Sequence, residues 1–269
     1  MGDFELVSAQ DASGDNGDEM GVAETYKAMY NIVQLPAVRS LTLMLMTSKI
    51  AFAAADSVTS LKMQERGVKK EEIAMLGVAV TPIALFLPAI IAKYTSGPNP
   101  LGLFMAAVPY RIVMGLFFAV ALYSIPSGKD VSLSYLHYAM LFICFAIHQV
   151  FMNAMFVSQM AFFASVSDPL LGGTYMTLLN TIANLAAKWP STLVLALVEP
   201  LTLPGVDGYY TLTAICTGVG VGWWLLMRGR VAALSDMPLA AWRVHPGRTT
   251  MFGAMSAEDQ LWGAMEDAV

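Results

Sequence analysis

Six runs of mainly apolar residues recur between positions 38 and 227, each close to the roughly 20 residues that carry a helix across a hydrocarbon core about 30 Å thick. The runs fall at about 38–59, 72–92, 103–124, 133–158, 170–198 and 209–227, with polar turns between them. None alternates with the period of two that a barrel strand needs, and lipid admits only backbone whose hydrogen bonds are satisfied within the segment. Charged residues make up only 13% of the chain, against about 25% in an ordinary soluble domain. These features predict an all-α, multi-pass integral membrane protein, a bundle of six transmembrane helices over residues 26–230. A disordered acidic tail at 1–25 precedes it, and a tail at 231–269 follows, with a short interfacial helix expected around Gln260-Leu261-Trp262.

The net charge of −5 conceals a strong asymmetry. Residues 1–24 carry seven acids and no Lys or Arg, and the last fourteen residues carry four more acids, which leaves nine acids against all fifteen bases in between. An excess of cations in the membrane-embedded part suits an anionic solute, and loop charge that orients the helices accounts for the same excess. With six spans both termini share a side, which collects Lys27, Arg39, Lys93, Arg228, Arg230, Arg243 and Arg248 against Lys62, Arg66, Lys69, Lys70 and Lys129 opposite. The positive-inside rule therefore predicts that both termini are cytosolic. Cys144 and Cys216 lie in apolar runs and read as small packing residues. The fourth run stays apolar through Ala161-Phe162-Phe163-Ala164, so that helix either tilts or continues as a surface helix.

Charges inside the spans carry the functional signal. Lys49 and Asp56 fall in the first span, where exposure to lipid would cost several kcal/mol each, so both must face protein or a water-filled cavity. Seven residues of helix separate them by about 10.5 Å along the axis, too far to pair directly, so each is expected to meet a different helix. Arg111, in Pro109-Tyr110-Arg111, reads as lying near a helix end, from which it snorkels to the headgroups or reaches inward to an anion. His148, Gln149 and Asn153 lie in the fourth span, the two amides on one face at i, i+4. In the fifth span Thr174, Thr177, Asn180, Asn184 and Lys188 recur every three or four residues, a polar stripe along one helix face that suits a cavity lining. Pro190 predicts a kink there. Gly218-Val219-Gly220-Val221-Gly222 in the last span has no preceding strand and reads as close helix packing rather than a dinucleotide loop. No metal-ligand cluster, phosphate-binding loop or catalytic constellation stands out, and nothing suggests an enzyme, a bound cofactor or a nucleic-acid partner.

The run Ser167-Asp168-Pro169-Leu170-Leu171-Gly172-Gly173-Thr174-Tyr175-Met176-Thr177-Leu178-Leu179-Asn180-Thr181, continuing to Trp189-Pro190-Ser191-Thr192, resembles the signature of the acetyl-coenzyme A transporters of the endoplasmic reticulum, a branch of the major facilitator superfamily. Lys49-Ile50, Ala54-Ala55-Asp56-Ser57-Val58-Thr59, Lys93-Tyr94-Thr95-Ser96-Gly97-Pro98, Pro109-Tyr110-Arg111, His148-Gln149-Val150, Asp207-Gly208-Tyr209-Tyr210 and Gly222-Trp223-Trp224 extend the resemblance in order. It implies a carrier that moves acetyl-CoA from cytosol to endoplasmic reticulum lumen by alternating access. It also implies twelve helices, so this chain reads as a truncated C-terminal half, its acidic leader resembling a central linker, or else as a half-transporter, with an N-terminal six-helix half or a second copy as partner. On that expectation Lys49, Arg111 and Lys188 attract phosphates. Gln149, Asn153, Thr177, Asn180 and Asn184 complete the substrate-binding set, and Asp56 and His148 are candidates for proton coupling. Family members read Gly-Gly-Asn before Trp-Pro, where this chain has Ala186-Ala187-Lys188. Competing expectations are a half-bundle that does not transport, a carrier of another organic anion such as oxidised glutathione, and a membrane acyltransferase with His148 as base.

Overall fold

A computed structural model of the chain describes residues 22–244, apart from positions 96, 98, 129, 130, 169 and 170. The described residues form eight α-helices and no sheet: α1 (Val22–Gln34), α2 (Pro36–Ser48), α3 (Ala53–Glu65), α4 (Lys70–Thr95), α5 (Pro100–Ser124), α6 (Tyr135–Val166), α7 (Gly172–Leu197) and α8 (Gly208–Ser235). A 3-10 turn, Lys49–Phe52, joins α2 to α3, and another, Leu239–Trp242, follows α8. Residues 260–262, and most of both predicted tails, lie outside the described residues.

Five helical segments are long and apolar enough to cross a membrane: Pro36–Glu65, α4, α5, α6 and α8. The remaining expected span, the fifth, is present as the 26-residue α7, whose polar stripe keeps it from reaching the same hydropathy. The first span departs from the sequence expectation of one regular helix, because α2 and α3 are separated by the 3-10 turn. In lipid such a break needs its freed backbone groups satisfied by neighbours; one indole does this, and a second bonds a side chain beside the break. Trp189 on α7 donates to the Met46 carbonyl at 3.1 Å, and Trp223 on α8 donates to Thr47 Oγ1 at 2.7 Å. The fourth span runs on as a single helix through Phe162 and Phe163 to Val166, 32 residues and roughly 48 Å, well beyond the bilayer core. Helix α1 was not anticipated. It buries Ala28 and Ile32 against the bundle and exposes Tyr26, Lys27 and Tyr30, an amphipathic pattern too short to span.

The core is helix on helix. Helices α5 and α6 pack together, α4 lies on α6, α8 on α5, and α7 on α2 and α3. Gly220 on α8 is where a close approach matters, since a methyl group there would stand 2.7 Å from the Ala51 methyl and 3.0 Å from Ile112 Cδ1. Gly218 and Gly222 meet nothing within 4 Å, so the glycine run serves packing through its middle member alone. Helix α4 instead turns Val78, Leu85, Phe86 and Ile90 outward, a surface whose natural solvent is lipid.

Polar bonds stitch together the end at which α3, α5 and α7 finish. Arg66 donates to the carbonyls of Tyr123 and Ile125 and to the Tyr210 hydroxyl, Val68 pairs with Val131, and Thr59 shares a buried 2.9 Å hydrogen bond with Tyr209. Asp207 caps α8 by accepting from the Tyr209 amide at 2.8 Å, and its second oxygen meets Lys62 Nζ at 2.9 Å. Burial pushes the Asp207 carboxyl up, but the Tyr209 amide, Lys62 and Arg66 together hold it below the usual carboxylate value of about 3.9. Its contribution to stability is therefore complete above that value and fades as pH falls through the lower folded value. Thermal unfolding of Asp207→Asn in detergent should show a deficit against wild type that is constant from pH 7 to pH 5 and closes below about pH 4. Asn keeps most of the cap, so the part that closes with acid reports the charge.

Candidate functional site

The 3-10 turn places Lys49 at the break in the first span, and the first turn of α3 carries Asp56. Asp56 reaches two other helices at once: Oδ2 accepts from Arg111 Nη2 of α5 at 2.5 Å, and Oδ1 lies 3.3 Å from His148 Nε2 of α6. The expectation that each first-span charge meets a different helix therefore holds for Asp56. Lys49 lies close enough to act electrostatically on both Asp56 and Arg111. Two basic side chains from two helices thus flank one carboxylate, with Lys49 in the turn before it.

Arg111 is not a snorkelling residue. Asn99 caps α5 and Pro100 starts it, so Arg111 falls midway along the helix, and only 4% of its side chain is exposed. Its guanidinium lies 4.4 Å from the centre of the Phe52 ring and donates to Met155 Sδ at 3.7 Å. Both contacts suit a desolvated planar cation better than an ammonium. Arg111 Nε and His148 Nδ1 are buried and have no hydrogen-bond partner among the described residues. Such groups are rare in folded proteins, so these two polar atoms stand out in the site. The Phe118 ring meets the His148 imidazole edge-on at 5.3 Å and fixes its plane.

The amide pair on α6 is less engaged than its spacing suggests. Gln149 and Asn153 do share a face, but Asn153 is buried and donates to the Gln149 carbonyl of its own helix at 2.9 Å. On α7 the stripe is intact, and it points away from the bundle. Tyr175, Leu178, Leu179, Ala183, Ala186 and Val194 are buried against the other helices, while Thr177, Asn180, Asn184 and Lys188 are exposed on the opposite side and Thr174 is half-buried. Thr177 is satisfied by donating to the Gly173 carbonyl. Asn180, Asn184 and Lys188 have no side-chain partner among the described residues. Among the described residues the exposed part of the stripe faces away from the other helices, and no contact joins Lys188 to the cluster around Asp56.

Sequence reasoning missed Phe52, Trp189 and Trp223, the residues that brace Arg111 and the helix break. The available signal was chemical: an indole N–H in an apolar run must find an acceptor, and a buried guanidinium needs an aromatic or anionic neighbour. Among the described residues no group of three or more His, Cys, Asp or Glu is placed to hold a metal ion, and both cysteines are buried and free.

Comparison with known proteins places this arrangement. An uncharacterized membrane protein of Saccharomyces cerevisiae is 25% identical over 90% of this chain and 52% of its own length. An uncharacterized protein of Schizosaccharomyces pombe is 23% identical over 83% of this chain and 48% of its own length. The chain thus spans about half the length of these curated relatives. No solved structure matches. The family model described as acetyl-coenzyme A transporter 1 matches residues 2–105 and 104–206, most of the chain, and the chain belongs to that family.

Proposed function

We propose that this chain forms one half of a membrane carrier that moves acetyl-CoA across the endoplasmic reticulum membrane by alternating access, both termini facing the cytosol, and that it resembles the C-terminal half of a major facilitator. The observation that carries this reading is the outward polar stripe of α7. Two unpartnered amides and an ammonium in the middle of a bilayer-length helix cost several kcal/mol in lipid, so protein or water must cover that face. A second six-helix bundle, an N-terminal half or another copy, supplies the cover and turns the stripe into one wall of a central passage, as in carriers built from two bundles. Thr177, Asn180, Asn184 and Lys188 then meet the cargo from this wall. Lys49 and Arg111 attract its phosphates, Gln149 and Asn153 complete the polar lining, and Asp56 and His148 are the candidates for proton coupling.

The test is uptake of radiolabelled acetyl-CoA into proteoliposomes holding the chain alone, or the chain with an upstream six-helix half of a family member. Asn184→Leu with Lys188→Leu is expected to lower uptake at least about tenfold, roughly the effect of one lost charge-assisted contact, while the protein still inserts and elutes as wild type. Unchanged uptake in that variant would remove the stripe from the passage. Absence of uptake from every wild-type preparation would remove the cargo.

A further inference from the structure

The ion pair at the centre of the cluster is built asymmetrically. Arg111 is 4% exposed and held by Phe52 and Met155, whereas the Asp56 side chain is 32% exposed. If one partner leaves, it is the carboxylate, because the guanidinium is buried against Phe52 and Met155 and the carboxylate is the more exposed of the two. Asp56 also keeps a second partner when it lets go, since its other oxygen already lies 3.3 Å from His148. It sits one turn beyond the 3-10 break, where the backbone is least constrained by regular helix bonding.

Charge reinforces the geometry. By formal charge Lys49 and Arg111 are two cations near one carboxylate, so the cluster lies at least one negative charge short of balance inside the bilayer. An uncompensated charge at that depth is costly. Arg111 Nε, buried and without an acceptor, adds an unused donor at the same place.

From these observations we infer that Asp56 is a displaceable internal counter-ion. It occupies on Arg111 the position that a phosphate-class anion takes when cargo loads, and it reclaims that position when cargo leaves. This deepens the carrier reading, on which it rests for its biological cargo. An internal competitor weakens binding in exchange for release, so the empty site does not trap an anion in the membrane.

The experiment uses purified full-length protein in nanodiscs of neutral phosphatidylcholine, with pyrophosphate and acetyl-CoA as separate probes and affinity read by calorimetry. Asp56→Asn is expected to bind pyrophosphate at least about tenfold more tightly than wild type, since the competing carboxylate is gone and the cation remains. Adding Arg111→Leu in the same background should abolish that gain. Discs containing phosphatidic acid separate the sources of the anion. Loss of the pyrophosphate gain there assigns the site to a lipid headgroup, retention assigns it to a soluble anion, and both support displacement. Affinity in folded Asp56→Asn no higher than wild type in the neutral phosphatidylcholine discs would overturn it, as would a gain that survives Arg111→Leu. If Asp56→Asn fails to fold, infrared difference spectra of wild-type protein with carboxyl-labelled aspartate serve instead. Pyrophosphate should shift one aspartate carboxylate band, identified by its disappearance in Asp56→Glu, and an unshifted band would overturn the inference. Acetyl-CoA separates the two proposals. Failure to bind it while pyrophosphate behaves as described sinks the cargo alone, and binding it without a gain in Asp56→Asn sinks the counter-ion alone.

Discussion

Arg111→Met is expected to destabilise the bundle by about 3 kcal/mol, the lower end of the range for removing one member of a buried ion pair. The lower end applies because the stranded partner, Asp56, retains His148 at 3.3 Å and has 32% of its side chain exposed, so part of the lost pairing is replaced. Methionine fills much of the space beside Phe52 and Met155, which keeps the cavity contribution small. The measurement is the thermal unfolding midpoint of the purified protein in a mild detergent. Adding Asp56→Asn should recover most of the loss, because a neutral pair of similar volume leaves no stranded carboxylate. A double variant as unstable as the sum of the two single variants would mean that the residues contribute independently.

Gly67→Ala is the second substitution with a large expected effect. Gly67 has φ +94°, a backbone region that L side chains rarely adopt, and a Cβ there would lie 2.0 Å from the Gly128 carbonyl oxygen. That carbonyl belongs to a fixed turn, since the Gly128 amide donates to the Arg66 carbonyl and the Val131 amide donates to the Gly67 carbonyl. The added methyl must therefore part the α3–α4 and α5–α6 connections, and Arg66 with its three acceptors moves with them. Left-handed strain of about 1–2 kcal/mol and overpacking of about 1–3 kcal/mol give a combined loss near 3 kcal/mol. It should appear as a lowered unfolding midpoint and as faster proteolysis within residues 125–134. Gly77→Ala, in a position with nothing within 4 Å, is the matched control and should behave as wild type.

How much of the site was legible depended on the kind of argument. That Lys49 and Asp56 must meet protein followed from the cost of charge in lipid, and for Asp56 the structure supplies the partners. The identity of those partners was out of reach, because which face of α5 meets α3 depends on packing between segments some fifty residues apart. Arg111 shows how an error of placement becomes an error of role. Starting the third span late put the residue near a helix end and made snorkelling attractive, whereas Asn99 and Pro100 start the helix earlier and carry Arg111 to its middle. The turn at Lys49–Phe52 left no mark on hydropathy, and the indoles that bond beside it, one to a backbone carbonyl and one to the Thr47 hydroxyl, come from α7 and α8.

The amino-acid sequence by itself determined that the chain lives in a bilayer, that it is helical throughout its spans and that α7 carries a polar stripe, because these follow from transfer energies and helix periodicity within single segments. Only the tertiary structure decided that Asp56 joins Arg111 to His148, that Gly220 is the glycine on which helix approach depends, and that the stripe points away from its own bundle. Each of those is a relation between segments far apart in the chain, set by which surfaces pack together, and a local pattern of residues does not contain it.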